Sequence, residues 1–284
     1  MTTYQPHSAS STPRHQPPKS RWFRASIIAG AILIGLFFIV GLARTSQSAV
    51  DSLVRQANAK QGSEREKTLK ALAITTGNND AVQMALGEYY TSINQPKTAG
   101  EAYAAGSNNL TDEAMASYIT AGEYTRAQQL FKAQPSKEQG SEVRAQAALA
   151  AYNLNDIETG CTYADQARSA NAQEACQILR QSDITRTDAY RLAELGVYSK
   201  AKTVIESTPN KTVGDYLLLV GIESQQGRLE QAADLYAAAL KQFQADRALA
   251  EQGIAFCEQS GGVGSCSSVT PLAETILKQT QFVN

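Results

Sequence analysis

Residues 80–106 read DAVQMALGEYYTSINQPKTAGEAYAAG, and the way this stretch divides decides the fold. Leu86, Gly87 and Tyr90 return at helical spacing on one face of a first segment, and Ala99 and Tyr103 on one face of a second. Asn94-Gln95-Pro96 between them is turn chemistry, since Asn tolerates left-handed backbone and Pro starts helices well. The stretch is therefore a helical hairpin. Small residues at Gly87 and Ala99 let its two helices approach, and Tyr90 and Tyr103 fill the space beside them.

The pattern repeats downstream. Residues 216–240, YLLLVGIESQQGRLEQAADLYAAAL, place Tyr216, Leu219 and Val220 on a first helix, Gly227 at the turn, and Ala232, Tyr236 and Ala239 on a second. Residues 121–135 and 194–209 share Gly-x-Tyr-x-x-Ala-x-x-x-(Phe or Ile)-x-x-x-Pro, with Gly122, Tyr124, Ala127, Phe131 and Pro135 against Gly196, Tyr198, Ala201, Ile205 and Pro209. A further unit over 145–168 carries Ala147, Ala148 and Ala151, a turn at Asn155, then Gly160 and Ala164. Turn residues thus fall at 94, 122, 155, 196 and 227, at spacings of 28, 33, 41 and 31. Recurring turns at such intervals favour a stack of hairpins over a plain helical bundle.

These residues resemble the tetratricopeptide repeat, which reads Leu-Gly-x-x-Tyr, a turn Gly, then Ala and an aromatic residue four positions on, in units of about 34. LGEYY at 86–90 with Ala99 and Tyr103 matches best, followed by Gly227 with Ala232, Tyr236 and Ala239. The turn Gly is Asn94 and Asn155 in two units, and Gly160 stands where the second helix would carry Ala. The resemblance covers residues 80–245 and implies an all-α solenoid, with helices near 50–75 and 245–280 as caps. It also implies a concave groove lined by first helices, which nominates Met84, Glu88, Thr91, Leu217 and Gln225 as partner-binding positions. Any one of these also suits an ordinary solvated helix surface.

Upstream, residues 25–43, ASIIAGAILIGLFFIVGLA, are nineteen residues without a charge. As a helix this run is about 28 Å long, close to the hydrocarbon thickness of a bilayer. Arg14, Lys19, Arg21 and Arg24 precede it, whereas Arg44 is the only cation after it until Arg55. That asymmetry places residues 1–24 in the cytoplasm and residues 44–284 outside, on a single-pass anchor in the cell membrane. A cleaved signal peptide ending near Ser46-Gln47-Ser48 is the rival; the length of the apolar run and Arg44 at its end favour retention. Residues 1–20 hold four of the eight prolines and read as a disordered tail.

Charge and composition narrow the function. The first 44 residues hold five of the 26 Lys and Arg and none of the 27 acids, so the remainder carries a formal charge of −6. An acidic domain does not suit phosphate backbones, and nucleic acid is not an expected partner. Both histidines, His7 and His15, lie in the tail, which leaves the repeats without an imidazole base or metal ligand. No catalytic residue, metal or cofactor is expected. The enzymatic alternative is a solenoid with paired carboxylates, such as a lytic glycosidase, whose two groups must converge within about 5–10 Å.

Four cysteines, Cys161, Cys176, Cys257 and Cys266, are an even count in a domain expected outside the cytoplasm. Three pairings are possible, and sequence order favours Cys161–Cys176 and Cys257–Cys266. The first pair suits two antiparallel helices joined near Ser169-Ala170-Asn171. The second would tie down a glycine-rich loop containing Cys266, ahead of a final helix over Pro271–Lys278. A four-cysteine zinc site lacks any Cys-x-x-Cys spacing. The expected function is a docking scaffold or chaperone-like subunit of a cell-envelope assembly, holding an extended or helical protein segment.

Overall fold

The computed structural model describes residues 47–135 and 139–281. Within them lie fifteen α-helices, one short 3-10 turn at Asn108–Leu110 and no strand. The helices are α1 (Gln47–Asn58), α2 (Gly62–Thr76), α3 (Asp80–Ser92), α4 (Pro96–Ala104) and α5 (Thr111–Thr120). Next come α6 (Tyr124–Ala133), α7 (Ser141–Asn153), α8 (Ile157–Ala167), α9 (Ala170–Leu179) and α10 (Arg186–Glu194). The last five are α11 (Tyr198–Ser207), α12 (Val213–Gln225), α13 (Leu229–Gln242), α14 (Arg247–Gln259) and α15 (Cys266–Gln281). The apolar run 25–43 lies outside the described residues, and no described helix is long and apolar enough to cross a membrane.

The helices form hairpins α1/α2, α3/α4, α5/α6, α7/α8, α10/α11, α12/α13 and α14/α15, and α9 is an extra helix packed on α8. One local closure makes the turns. Asn94, Gly122, Asn155, Gly196 and Gly227, the five positions at which turns are expected, all have positive φ, between 55° and 83°. At each, the following N–H returns to the carbonyl five residues back: Gln95 to Tyr90, Glu123 to Tyr118, Asp156 to Ala151, Val197 to Leu192 and Arg228 to Glu223. This is the Schellman ending, in which a left-handed residue satisfies carbonyls that the helix end leaves orphaned. Gly261 closes α14 the same way, with Gly262 N–H on the Cys257 carbonyl. In the five expected turns the residue after the left-handed one is already the N-cap of the next helix, so these hairpins turn tightly. Second helices α6 and α11 stop just before Pro135 and Pro209, where Gln134 and Thr208 turn extended, as residues before proline do.

Packing uses glycines facing tyrosine rings. A methyl at Gly87 would overlap the Tyr103 ring, and one at Gly160 the Tyr152 ring; at Gly100 it would lie 2.8 Å from Tyr118. Gly160 thus stands where an alanine would not fit. Buried clusters follow the chain with small overlaps: residues from Val50 to Ala114, then Tyr118 to Ala150, then Ala148 to Ile222, and finally Val220 to Ile276. Each helix packs on its neighbour and several on the next but one, the arrangement of a helical solenoid.

Two features depart from expectation. The long interval between Asn155 and Gly196 is taken up by α9, tied to α8 through Cys161–Cys176 and by the Tyr152 hydroxyl, which donates to the Ala172 carbonyl at 2.9 Å. α7 still reaches α11 directly, so α9 is an addition to the stack. The final helix begins at Cys266, five residues ahead of Pro271, and Cys266 is therefore helical. Bonds from Cys266, Ser267 and Ser268 to carbonyls three residues back start this helix before the proline. Glu230 also accepts the N–H groups of Gly264 and Ser265, at 2.9 and 2.8 Å.

Candidate docking face and turn edge

First helices α10 and α12 leave a hollow of about 220 Å³ between them, with α11 at its side. Tyr198, Leu217, Leu218 and Ile222 provide apolar surface, and Glu194 and Gln225 add polar groups. Gly221 also lines it, and a methyl built there would meet nothing within 4 Å. Burial pushes the Tyr198 phenol above its usual range. Glu194 is held by Arg191 at 2.8 Å, and Arg191 also grips Glu174 at 2.6 Å. Chemically the hollow offers an apolar slot, a phenol and an amide, which suits holding a side chain.

Of the five nominated positions, the structure brings Leu217 and Gln225 together in this hollow. Leu217 is half-buried and Gln225 exposed. Met84, Glu88 and Thr91 are exposed along α3, two hairpins and more away in sequence. Thr91 donates its hydroxyl to the Gly87 carbonyl at 2.9 Å. The neighbouring Tyr103 phenol is pushed up by burial, with Glu88 and Glu113 adding to the shift and Thr91 opposing it.

The turn edge is a second site, which repeat spacing does not reveal. Asn94 donates its amide to the Ser224 carbonyl at 3.1 Å, across 130 residues. Gln226 donates to the Tyr124 hydroxyl at 2.8 Å, across 102 residues, in a buried bond. A methyl at Gly227 would lie 3.2 Å from Pro96, and one at Gly122 3.1 Å from Arg228. Asn153 bonds both the Gly196 carbonyl and the Ser199 N–H at 2.9 Å. The turns of α3/α4, α5/α6 and α12/α13 therefore meet, and the α7/α8 and α10/α11 ends join directly. Burial pushes the Tyr124 phenol up to about 12 at the centre of this junction.

Charges on this edge are paired. Glu223 is 2% exposed, and accepts from Lys202 at 2.6 Å and from Arg228. Burial alone would raise its pKa; the bonds from Arg228 and Lys202 outweigh it and hold the carboxyl below its ordinary value. Lys97 pairs with Glu123 at 2.8 Å beside the hollow shared by the three turns. Among the described residues no three His, Cys, Asp or Glu side chains cluster as metal ligands would.

No protein-family model matches the chain, and no curated protein is significantly similar to it. The fold and its surfaces carry the functional argument alone.

Proposed function

We propose that the chain is a membrane-anchored, tetratricopeptide-like docking protein, displayed outside the cytoplasm as a scaffold or chaperone-like subunit of an envelope assembly. The observation that carries this reading is the hollow between α10 and α12, where Leu217, Leu218, Ile222 and Tyr198 surround an open notch at Gly221. Adjacent first helices with an apolar slot suit an anchor side chain of an extended or helical segment. The formal charge of −6 over residues 45–284 favours a segment with basic flanks. Two disulfides fit an oxidising compartment, and the charge asymmetry around residues 25–43 supports an anchor with its tail inside.

The test is site-specific photocross-linking in cells. A photoreactive side chain at Gln225 is expected to give discrete protein adducts that Gly221→Trp, which fills the notch, abolishes. The same probe at Ile74, 80% exposed on α2, is expected to give none of them. Identical adducts at Gln225 and Ile74, or adducts that survive Gly221→Trp, would contradict the docking site.

A further inference from the structure

We propose that the end of α2 rests on an anionic phospholipid surface, with Ile74 entering it and Lys67 and Lys70 reaching its phosphates. This depends on the anchor reading of residues 25–43, and adds where the repeat domain touches the membrane. Four residue steps separate Ala43 from Gln47, at most about 14 Å of chain. A membrane anchor over 25–43 therefore holds the start of α1 close to the surface. Asn79 donates its amide to the Gln47 side-chain oxygen at 3.2 Å, so α2 ends beside the start of α1. At the opposite end of the hairpin, Arg65 donates to the Asn58 side chain at 3.1 Å. Ile74, two residues before the end of α2, thus belongs to the membrane-proximal end.

Ile74 is 80% exposed, the most exposed large hydrophobic side chain among the described residues. A lone exposed isoleucine is ordinary on a protein surface; its place and its neighbours single this one out. Lys67, Lys70, Ala71 and Ile74 recur at helical spacing, and all four are exposed. The Lys70 side chain stays 57% exposed while it pairs with Glu66 at 2.7 Å. No acid lies between Lys67 and Asn79, and residues 45–76 carry a formal charge of +2 against −8 for residues 77–284. An anionic bilayer attracts this hairpin and repels the rest of the domain. With Ile74 at the hydrocarbon boundary, Lys70 stands about 6 Å and Lys67 about 10 Å further out along the helix. Lysine stems are long enough to bring both ammonium groups to the headgroup layer. One isoleucine and two lysines hold a free protein on a bilayer only weakly. The anchor makes the contact intramolecular, and a weak contact then suffices. A protein partner gains no such proximity from the anchor.

The test uses the full chain reconstituted into vesicles of phosphatidylcholine with about 30% phosphatidylglycerol. All four cysteines are paired, so Ala71→Cys and Ala59→Cys each take a single nitrobenzoxadiazole label, with Ile74 left in place. Ala59 is exposed in the turn at the far end of the hairpin. A lipid with a nitroxide on its headgroup is expected to quench the label at 71 and not at 59. Ile74→Ser should bring quenching at 71 down to the level at 59. Lys67→Gln should lower the ratio of docked to undocked domain about fivefold, the worth of one cation near an anionic surface. Both side chains are exposed, so neither change should alter the circular dichroism. A carbonate wash separates this proposal from the reading it depends on. A chain that carbonate extracts overturns the anchor, and the docking with it; a chain retained but unquenched at 71 overturns the docking alone. Equal quenching at 59 and 71, or quenching that survives Ile74→Ser, also overturns it. Self-quenching between labelled chains without quenching by lipid assigns the face to a second copy, and overturns it as well.

Discussion

At the scale of single residues, the fold depends on where a side chain is missing. Gly87 and Gly221 are both interior helix glycines, and an intrinsic cost to the helix is common to both. Their surroundings differ. Gly87 faces the Tyr103 ring, so Gly87→Ala should lower stability by about 1–3 kcal/mol through overpacking. Gly221 faces open space, so Gly221→Ala should raise it by about 0.5–1 kcal/mol. Urea midpoints that move in the same direction for both variants would contradict this packing. Glu223 shows the electrostatic side. Its folded pKa lies below the ordinary value of 4.5, so its contribution is present above that value and is lost as pH falls through the folded one. Glu223→Gln should therefore destabilise at neutral pH, and the gap from the native chain should narrow between about pH 5 and pH 3. A gap that stays constant over that range would show that the carboxylate charge is not what Lys202 and Arg228 stabilise.

At the scale of elements, the hairpins were legible because each is encoded locally. Leu86, Gly87 and Tyr90 lie within one turn or so of each other, and the left-handed residue follows directly, so a short window holds the whole instruction. The start of α15 was not legible, because Pro271 looks like a first-turn residue. What starts the helix earlier is Glu230, 34 residues upstream of Gly264, whose carboxylate receives two N–H groups ahead of Cys266. The two disulfides differ in the length of chain they close. Cys161–Cys176 spans 15 residues and Cys257–Cys266 spans 9. A closed loop of about 15 residues is worth roughly 3 kcal/mol of unfolded-state entropy, and a shorter one less. Cys161→Ser with Cys176→Ser should accordingly destabilise more, with faster amide exchange over α8 and α9. Cys257→Ser with Cys266→Ser should free exchange in α15 alone, and less so while Glu230 is intact. Equal exchange along the whole chain in both variants would contradict a stack whose ends open independently.

At the scale of the whole molecule, the stack bends until its turn edge meets itself. Spacing between repeats says how many hairpins there are and nothing about how far each is rotated on the last. Asn94 and Ser224, or Tyr124 and Gln226, therefore carried no mark in the sequence as partners. Leu217 and Gln225 were legible as surface positions, yet the hollow they share needs α10 and α11 beside α12, a neighbourhood set by packing. The central claim is that distant turns are in contact, and the buried bond from Gln226 to the Tyr124 hydroxyl is its most direct expression. A double-mutant cycle with Tyr124→Phe and Gln226→Ala measures it. A coupling of about 1 kcal/mol in denaturant melts is the predicted result, the net worth of one hydrogen bond. Costs that add within about 0.3 kcal/mol would contradict contact between the two turns.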